Sequence, residues 1–209
     1  MNTRGKILDQ ALKMFNERGI EYVGLRELAG VLDIRVGNIT YYFATKDDLV
    51  FALSLELSKK NEAVIVAGKE ITMRGFLDMM QQVFYHHIEF RCLFLSFVHL
   101  MEQNKMIAEA YKKTQTRRSS TIKDNLSTLA KSGYIQVKDE GDMDFLVSTL
   151  SLISRFWISE AAVSYKHLKP EAQMRHYLAL IAKLMLPYAT NAGEKDISGF
   201  LEGLKNGNT

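Results

Sequence analysis

Few side chains in this sequence of 209 residues are placed to do chemistry, and the most informative of them form no catalytic group. Gly37, Asn38, Thr40 and Tyr41 fall together within Leu25–Lys46, LRELAGVLDIRVGNITYYFATK. They are small, amide-bearing or hydroxyl-bearing, with no carboxylate among them. Such groups can exchange hydrogen bonds with base edges and phosphates, and a glycine lets another backbone approach closely. His86, His87, Glu89, His99 and Glu102 invite a metal reading, but both pairs run His-x-x-Glu. Carboxylate-bridged bundles need Glu-x-x-His pairs and further glutamates, and no Glu-x-x-His occurs here. These histidines are read as core or pocket residues, with no metal. Cys92 lies among Phe90, Leu93 and Phe94, which suits an inert buried thiol. A nucleophile elbow and a phosphate loop are both missing, so the chain is read as a non-enzyme without a cofactor.

The elements that must position the polar group are short. Leu25, Leu28, Ala29 and Leu32 share one face of a 3.6-residue helix. Asp33-Ile34-Arg35 breaks that pattern, since Asp tolerates a left-handed turn. In a second helix Val36, Ile39 and Phe43 share a face expected to be buried, which turns Gly37, Asn38, Thr40 and Tyr41 outward. Two short helices around a tight turn form a helix–turn–helix unit, whose second helix enters a DNA major groove. A helix from Thr3, as N-cap, to Arg18 should cover the back of the pair with Ile7, Leu8, Ala11, Leu12 and Phe15, and stop at Gly19. Thr45-Lys46-Asp47-Asp48 has capping-box spacing and opens a fourth helix through Leu49, Val50, Leu53 and Leu57.

Residues 4–50 resemble the DNA-binding domain of the TetR family of bacterial transcriptional regulators. The matching residues are Ile7-Leu8, Ala11-Leu12, Phe15, Gly19, Arg26, Leu28-Ala29, Ile34, Gly37-Asn38-Ile39, Tyr41, Phe43 and Lys46. The resemblance implies DNA contacts from Arg26, Arg35, Val36, Gly37, Asn38, Thr40, Tyr41, Tyr42 and Lys46. Asn38 would read adenine, the tyrosines and Lys46 would meet phosphates. Gly24, Asp33, Thr40 and Tyr42 depart from the family's usual Thr or Ser, Gly, Tyr and His. The family further implies a small-molecule cavity in the body, for which Phe84, His87, Phe94, Phe97, Met101, Tyr111 and Trp157 are the candidates. By the same resemblance the partners are a double-stranded DNA operator, a second copy of the chain and an unidentified effector.

Composition fits this reading without proving it. Prolines number 2, cysteines 1, and hydrophobic residues make up 47%, as expected of an all-α protein with a real core and no internal disulfide. No apolar leader opens the sequence and no uninterrupted apolar run approaches ~18 residues, so a cytoplasmic chain outside the membrane is expected. Net charge is +3, divided +1 over residues 1–60 and +2 over the remainder, so the DNA reading rests on geometry rather than on a basic footprint.

The expected division is 1–48 for the helix–turn–helix head, 49–68 for a connecting helix, 69–188 for a ligand-binding and dimerisation bundle, and 189–209 for a tail. The head–body boundary is expected near Gly68-Lys69-Glu70. Body helices are expected over about 72–89, 94–102, 104–132, 142–167 and 170–186, with a loop at 137–142 and a possible short helix near Ile197–Leu204. Lys112, Lys113, Arg117, Arg118 and Lys123 suit a solvated face of the long third one. The 142–167 helix is apolar on two flanks, Leu146-Leu150-Ile153-Trp157-Ala161 and Phe145-Leu152-Phe156-Val163. One flank can face its own core, and the other wants a partner. A twofold four-helix interface is therefore expected through Leu152, Phe156, Val163, Tyr177, Ile181 and Leu184. The combined reading is a repressor released from a near-palindromic operator by an apolar or amphipathic ligand. The alternative is a helical-bundle sensor or carrier without DNA binding.

Overall fold

The computed structural model describes residues 2–64 and 71–207. Among these residues every regular element is a helix, and the one extended pairing is an isolated antiparallel bridge between Ile135 and Ala189. The helices are α1 (Thr3–Arg18), α2 (Leu25–Val31), α3 (Val36–Tyr42), α4 (Lys46–Val64), α5 (Met73–Glu89), α6 (Arg91–Leu95), α7 (Phe97–Gln103), α8 (Lys105–Lys131), α9 (Glu140–Ser164), α10 (Pro170–Met185) and α11 (Asn191–Asn206). The expected boundary at Gly68-Lys69-Glu70 lies outside the described residues.

The chain divides into two compact units, one formed by residues up to 61 with 89–112 and the other by 62–88 with 113 onward. In the first, α1, α2, α3 and α4 close around Ile7, Phe15, Leu28, Ile39, Phe43 and Leu49. Each large aliphatic or aromatic side chain buried here contributes roughly 1.5–3 kcal/mol. Leu93 and Leu100 of α6 and α7 belong to the same core. In the second, Phe76, Leu146, Trp157, Leu178, Ile181 and Phe200 are buried on α5, α9, α10 and α11.

Local chemistry explains the ends. The N-cap of α1 is Asn2 rather than Thr3, because the Asn2 side chain accepts from the Gly5 amide at 2.8 Å. Gly19 stops the helix at φ 96, a conformation that glycine adopts without strain. At the start of α4 the expected capping box forms, with the Thr45 amide and hydroxyl donating to Asp48 and the Asp48 amide donating back to the Thr45 hydroxyl. Pro170 occupies the first turn of α10.

Several expectations are corrected. The segment expected as one helix over 94–102 is broken at Ser96 into α6 and α7. The loop at 137–142 is shorter than expected, because Asp139 caps α9 by accepting from the Asp142 amide, and the helix begins at Glu140. The tail contains a 16-residue helix, capped by Thr190 and buried through Ile197, Phe200 and Leu204. Gly193 is needed there, since a Cβ would come within 2.2 Å of the Tyr134 carbonyl oxygen. By length and composition α9 is long and apolar enough to cross a membrane. Ser148, Ser151, Arg155 and Glu160 are spaced along it, and Leu146, Leu150, Trp157 and Ala161 are buried on one side.

Candidate nucleic-acid interface

The turn between α2 and α3 is set by two backbone hydrogen bonds. Asp33 sits at φ 52, its amide donates to the Gly30 carbonyl, and the Ile34 amide donates to the Ala29 carbonyl. This is a Schellman ending with Asp where glycine is commoner. It redirects the chain so that α3 starts at Val36, with Arg35 extended before it at φ −71 and ψ 144.

Ile39 and Phe43 anchor α3 from beneath, both buried. Val36 does not join them. It is 39% exposed, because it opens the first turn of α3 while the buried side begins one turn later. Gly37, Asn38 and Thr40 are exposed, and Tyr41 is 83% exposed. Tyr42 is part of the same surface, its ring set edge-on to that of Tyr41 at 5.0 Å. The Thr40 hydroxyl donates to the Gly37 carbonyl at 3.3 Å, leaving its lone pairs for an outside donor. Arg26 and Arg35 are exposed on either side of the turn. The outer face of α3 thus presents amide, hydroxyl and backbone groups on an apolar base.

Lys46 behaves differently from a free cation. Its ammonium donates to the carbonyls of Ile20 at 2.9 Å and Glu21 at 3.3 Å, pinning the α1–α2 loop to the start of α4. One of its three protons remains for another acceptor. The sequence reading missed this tie, because no local pattern links positions 20 and 46. It also missed Glu21. Burial pushes its carboxyl up, but the Ser96 hydroxyl, its own backbone amide and the charges of His99 and Lys46 together hold it below the ordinary value.

A helix–turn–helix with this polar outer face agrees with the family models that the chain matches. Residues 7–53 match the model described as bacterial regulatory proteins of the tetR family, and residues 59–197 match the model described as a bacterial transcriptional repressor. The chain belongs to the TetR family. It is a DNA-binding transcriptional regulator, and TetR is a family of regulators rather than of enzymes. The probable HTH-type transcriptional regulator YttP of Bacillus subtilis is 26% identical over 156 residues, covering 73% of this chain and 70% of that protein. A TetR-family regulator from Marinobacter aquaeolei VT8 shares the fold at a TM-score of 0.88, with 21% identity, 98% of this chain and 99% of that one covered. SmeT of Stenotrophomonas maltophilia, solved with triclosan, shares it at 0.65, with 14% identity and 92% and 94% covered.

The candidate effector residues of this TetR chain separate into two groups. Phe84, His87 and Trp157 come together in the second unit. Phe84 and Trp157 lie nearly parallel, 4.8 Å apart, and the Trp157 indole N–H donates to His87 Nδ1 at 3.1 Å. Burial, with Arg118 and His86 adding positive charge, pushes the His87 pKa down to about 3, so the imidazole is neutral at physiological pH. Phe94, Phe97, Met101 and Tyr111 belong to the first unit, where Phe97 and Tyr111 meet edge-on at 5.1 Å. Burial also raises the Cys92 thiol to about 12, so it stays protonated. Among the described residues no three His, Cys, Asp or Glu side chains form a ligating group.

The candidate dimer residues also separate. Leu152 and Val163 of α9 are 58% and 83% exposed, and Phe156 is half-buried between them. Tyr177 and Ile181 are corrected: at 6% and 0% exposed they face the chain's own core. The inward side of α10 runs Met174, Tyr177, Leu178, Ile181, Ala182 and Met185, which leaves Leu180 outward and Leu184 at the margin.

Proposed function

We propose that the protein is a homodimeric cytoplasmic repressor that holds a near-palindromic operator and releases it when a small apolar or amphipathic molecule enters the body. The observation that carries the DNA reading is the outward set Gly37, Asn38, Thr40 and Tyr41 on a helix seated by buried Ile39 and Phe43. Asn38 would pair with adenine through its amide, with Arg35, Val36 and Gly37 beside it at the groove edge. Arg26, Tyr41, Tyr42 and the remaining proton of Lys46 would meet phosphates. Both the family and this geometry favour the regulator over a helical carrier without DNA binding.

The dimer reading is supported by the apolar stripe Phe145, Leu152, Phe156 and Val163 on α9 with Leu180 on α10, an exposed surface of the kind that marks a protein contact. It replaces Tyr177 and Ile181 with Leu180 in the expected interface. The ligand reading is supported by the stacked Phe84, Trp157 and His87. In the same unit Gln81 Nε2, Ser154 Oγ and Tyr177 Oη are buried without an internal partner. An uncharged guest carrying hydrogen-bond acceptors suits such groups, and the triclosan bound to SmeT is an example of a small aromatic ligand in a related fold.

A binding titration on the DNA upstream of the protein's own gene tests the whole. Asn38→Ala should lose about 1–3 kcal/mol of discrimination at one base position with the thermal midpoint unchanged. Equal losses on matched and scrambled duplexes would remove Asn38 from base reading.

A further inference from the structure

We propose that Arg4 is a DNA-phosphate anchor of the head, held beside the end of the recognition helix by the ring of Phe43. This rests on the reading that α3 enters the groove, and adds to it a residue outside the helix–turn–helix.

Arg4 stands in the first turn of α1, which contains no acidic residue. A cation at that end of a helix opposes the helix dipole and costs about 0.3–1 kcal/mol, so folding alone does not favour it there. Its guanidinium carbon lies 5.1 Å from the centroid of the Phe43 ring. Phe43 is the C-cap residue of α3 and is buried, so Arg4 covers the base of the recognition helix while staying exposed itself. Among the described residues no carboxylate forms an ion pair with Arg4, whereas Arg18 pairs with Glu27 and Lys46 is occupied by two carbonyls. A cation held over a ring spends none of its N–H donors on an acceptor, so the guanidinium fork that matches a phosphate stays available.

Dimensions place that fork at the border of the groove. The 7 residues of α3 span about 10 Å, close to the ~12 Å width of the major groove. With Val36–Asn38 at the base edges, the Tyr42–Phe43 end reaches the strand that flanks the groove, where Arg4 is fixed. The contact would strengthen binding to any duplex and carry no sequence preference.

Two variants test it on a duplex recovered by this protein from a random-sequence pool and on a scrambled duplex of the same composition. Arg4→Met keeps an unbranched cover over Phe43 and removes the charge. It should lower the slope of log affinity against log salt by about 0.9 for each head and about 1.8 for a dimer on a paired site, which is roughly 60-fold weaker binding at 0.1 M salt that converges on the unaltered protein toward 1 M. The loss should be equal on both duplexes, with the thermal midpoint unchanged, and Arg4→Lys should retain most of the slope. An unchanged slope in Arg4→Met overturns the proposal. So does a loss confined to the selected duplex, or one matched by a fall in thermal midpoint. Asn38→Ala, run in parallel, separates the two claims. If it loses preference for the selected duplex while Arg4→Met keeps its slope, the Arg4 anchor alone fails. If Asn38→Ala is also silent, the groove reading fails with it.

Discussion

The head and the body of this molecule treat polar groups in opposite ways. On α3 the amide and hydroxyls of Asn38, Thr40 and Tyr41 face out, and the oily residues Ile39 and Phe43 lie beneath them. In the body Trp157, His87, Gln81 and Tyr177 are turned inward, and the indole and imidazole satisfy each other. An outward polar face costs nothing to keep hydrated and is available to a rigid, charged partner such as DNA. An inward one carries a desolvation penalty that only an internal hydrogen bond or a guest can offset. The difference teaches that variants of the head should change binding with little effect on stability, and variants of the body should do the reverse.

The largest test is Trp157→Ala. Trp157 is 2% exposed and packs on Phe84 and Tyr177, so its loss should cost about 3–5 kcal/mol and strand the His87 nitrogen. Thermal unfolding would measure that, and the salt slope of DNA binding by the folded fraction should stay as it was. A loss under about 1 kcal/mol would mean the body tolerates a cavity there and is not packed as described.

His87 supplies the next test. Its folded pKa of about 3 lies below the ordinary 6.5, so the unfolded chain takes up a proton that the folded one refuses. Stability that is complete above pH 6.5 should therefore fall as pH drops through the window between those two values, by roughly 1 kcal/mol per pH unit from this residue. His87→Leu should remove that slope while lowering stability at pH 7, because the Trp157 N–H loses its acceptor. A pH profile identical in both proteins would show that His87 is accessible to protons in the native state.

The same contrast explains what could be read from the sequence. The head was legible because its rules are local: Asp33 at the turn, Gly19 at the helix end, Thr45 with Asp48 at the start of α4, all within a few residues of the atoms they satisfy. Residues that act at a distance were not. Neither the bond from Lys46 to Ile20 nor the contact of Arg4 with the Phe43 ring has a sequence signature, since each joins positions far apart along the chain. In the body, periodicity gave the helices but not their rotation. Tyr177 and Leu180 are both apolar and one turn apart, and packing against the other helices decided that Tyr177 is the buried one. The effector candidates show the same limit: Phe94 and Phe97 lie close to Phe84 in sequence but belong to a different compact unit, which periodicity does not reveal.

The smallest expected effect bears most directly on the head. Gly37 lies in the first turn of α3, where glycine is still a poorer helix former than alanine. A Cβ added at Gly37 meets nothing within 4 Å inside the chain, so neither packing nor φ requires the glycine. If the reason for it lies outside the chain, Gly37→Ala should raise the thermal midpoint slightly and weaken operator binding, because the new methyl group would stand between the helix backbone and the bases. A stability gain with equal or tighter binding would put this face of α3 away from the duplex, and the outward polar surface would then need another partner.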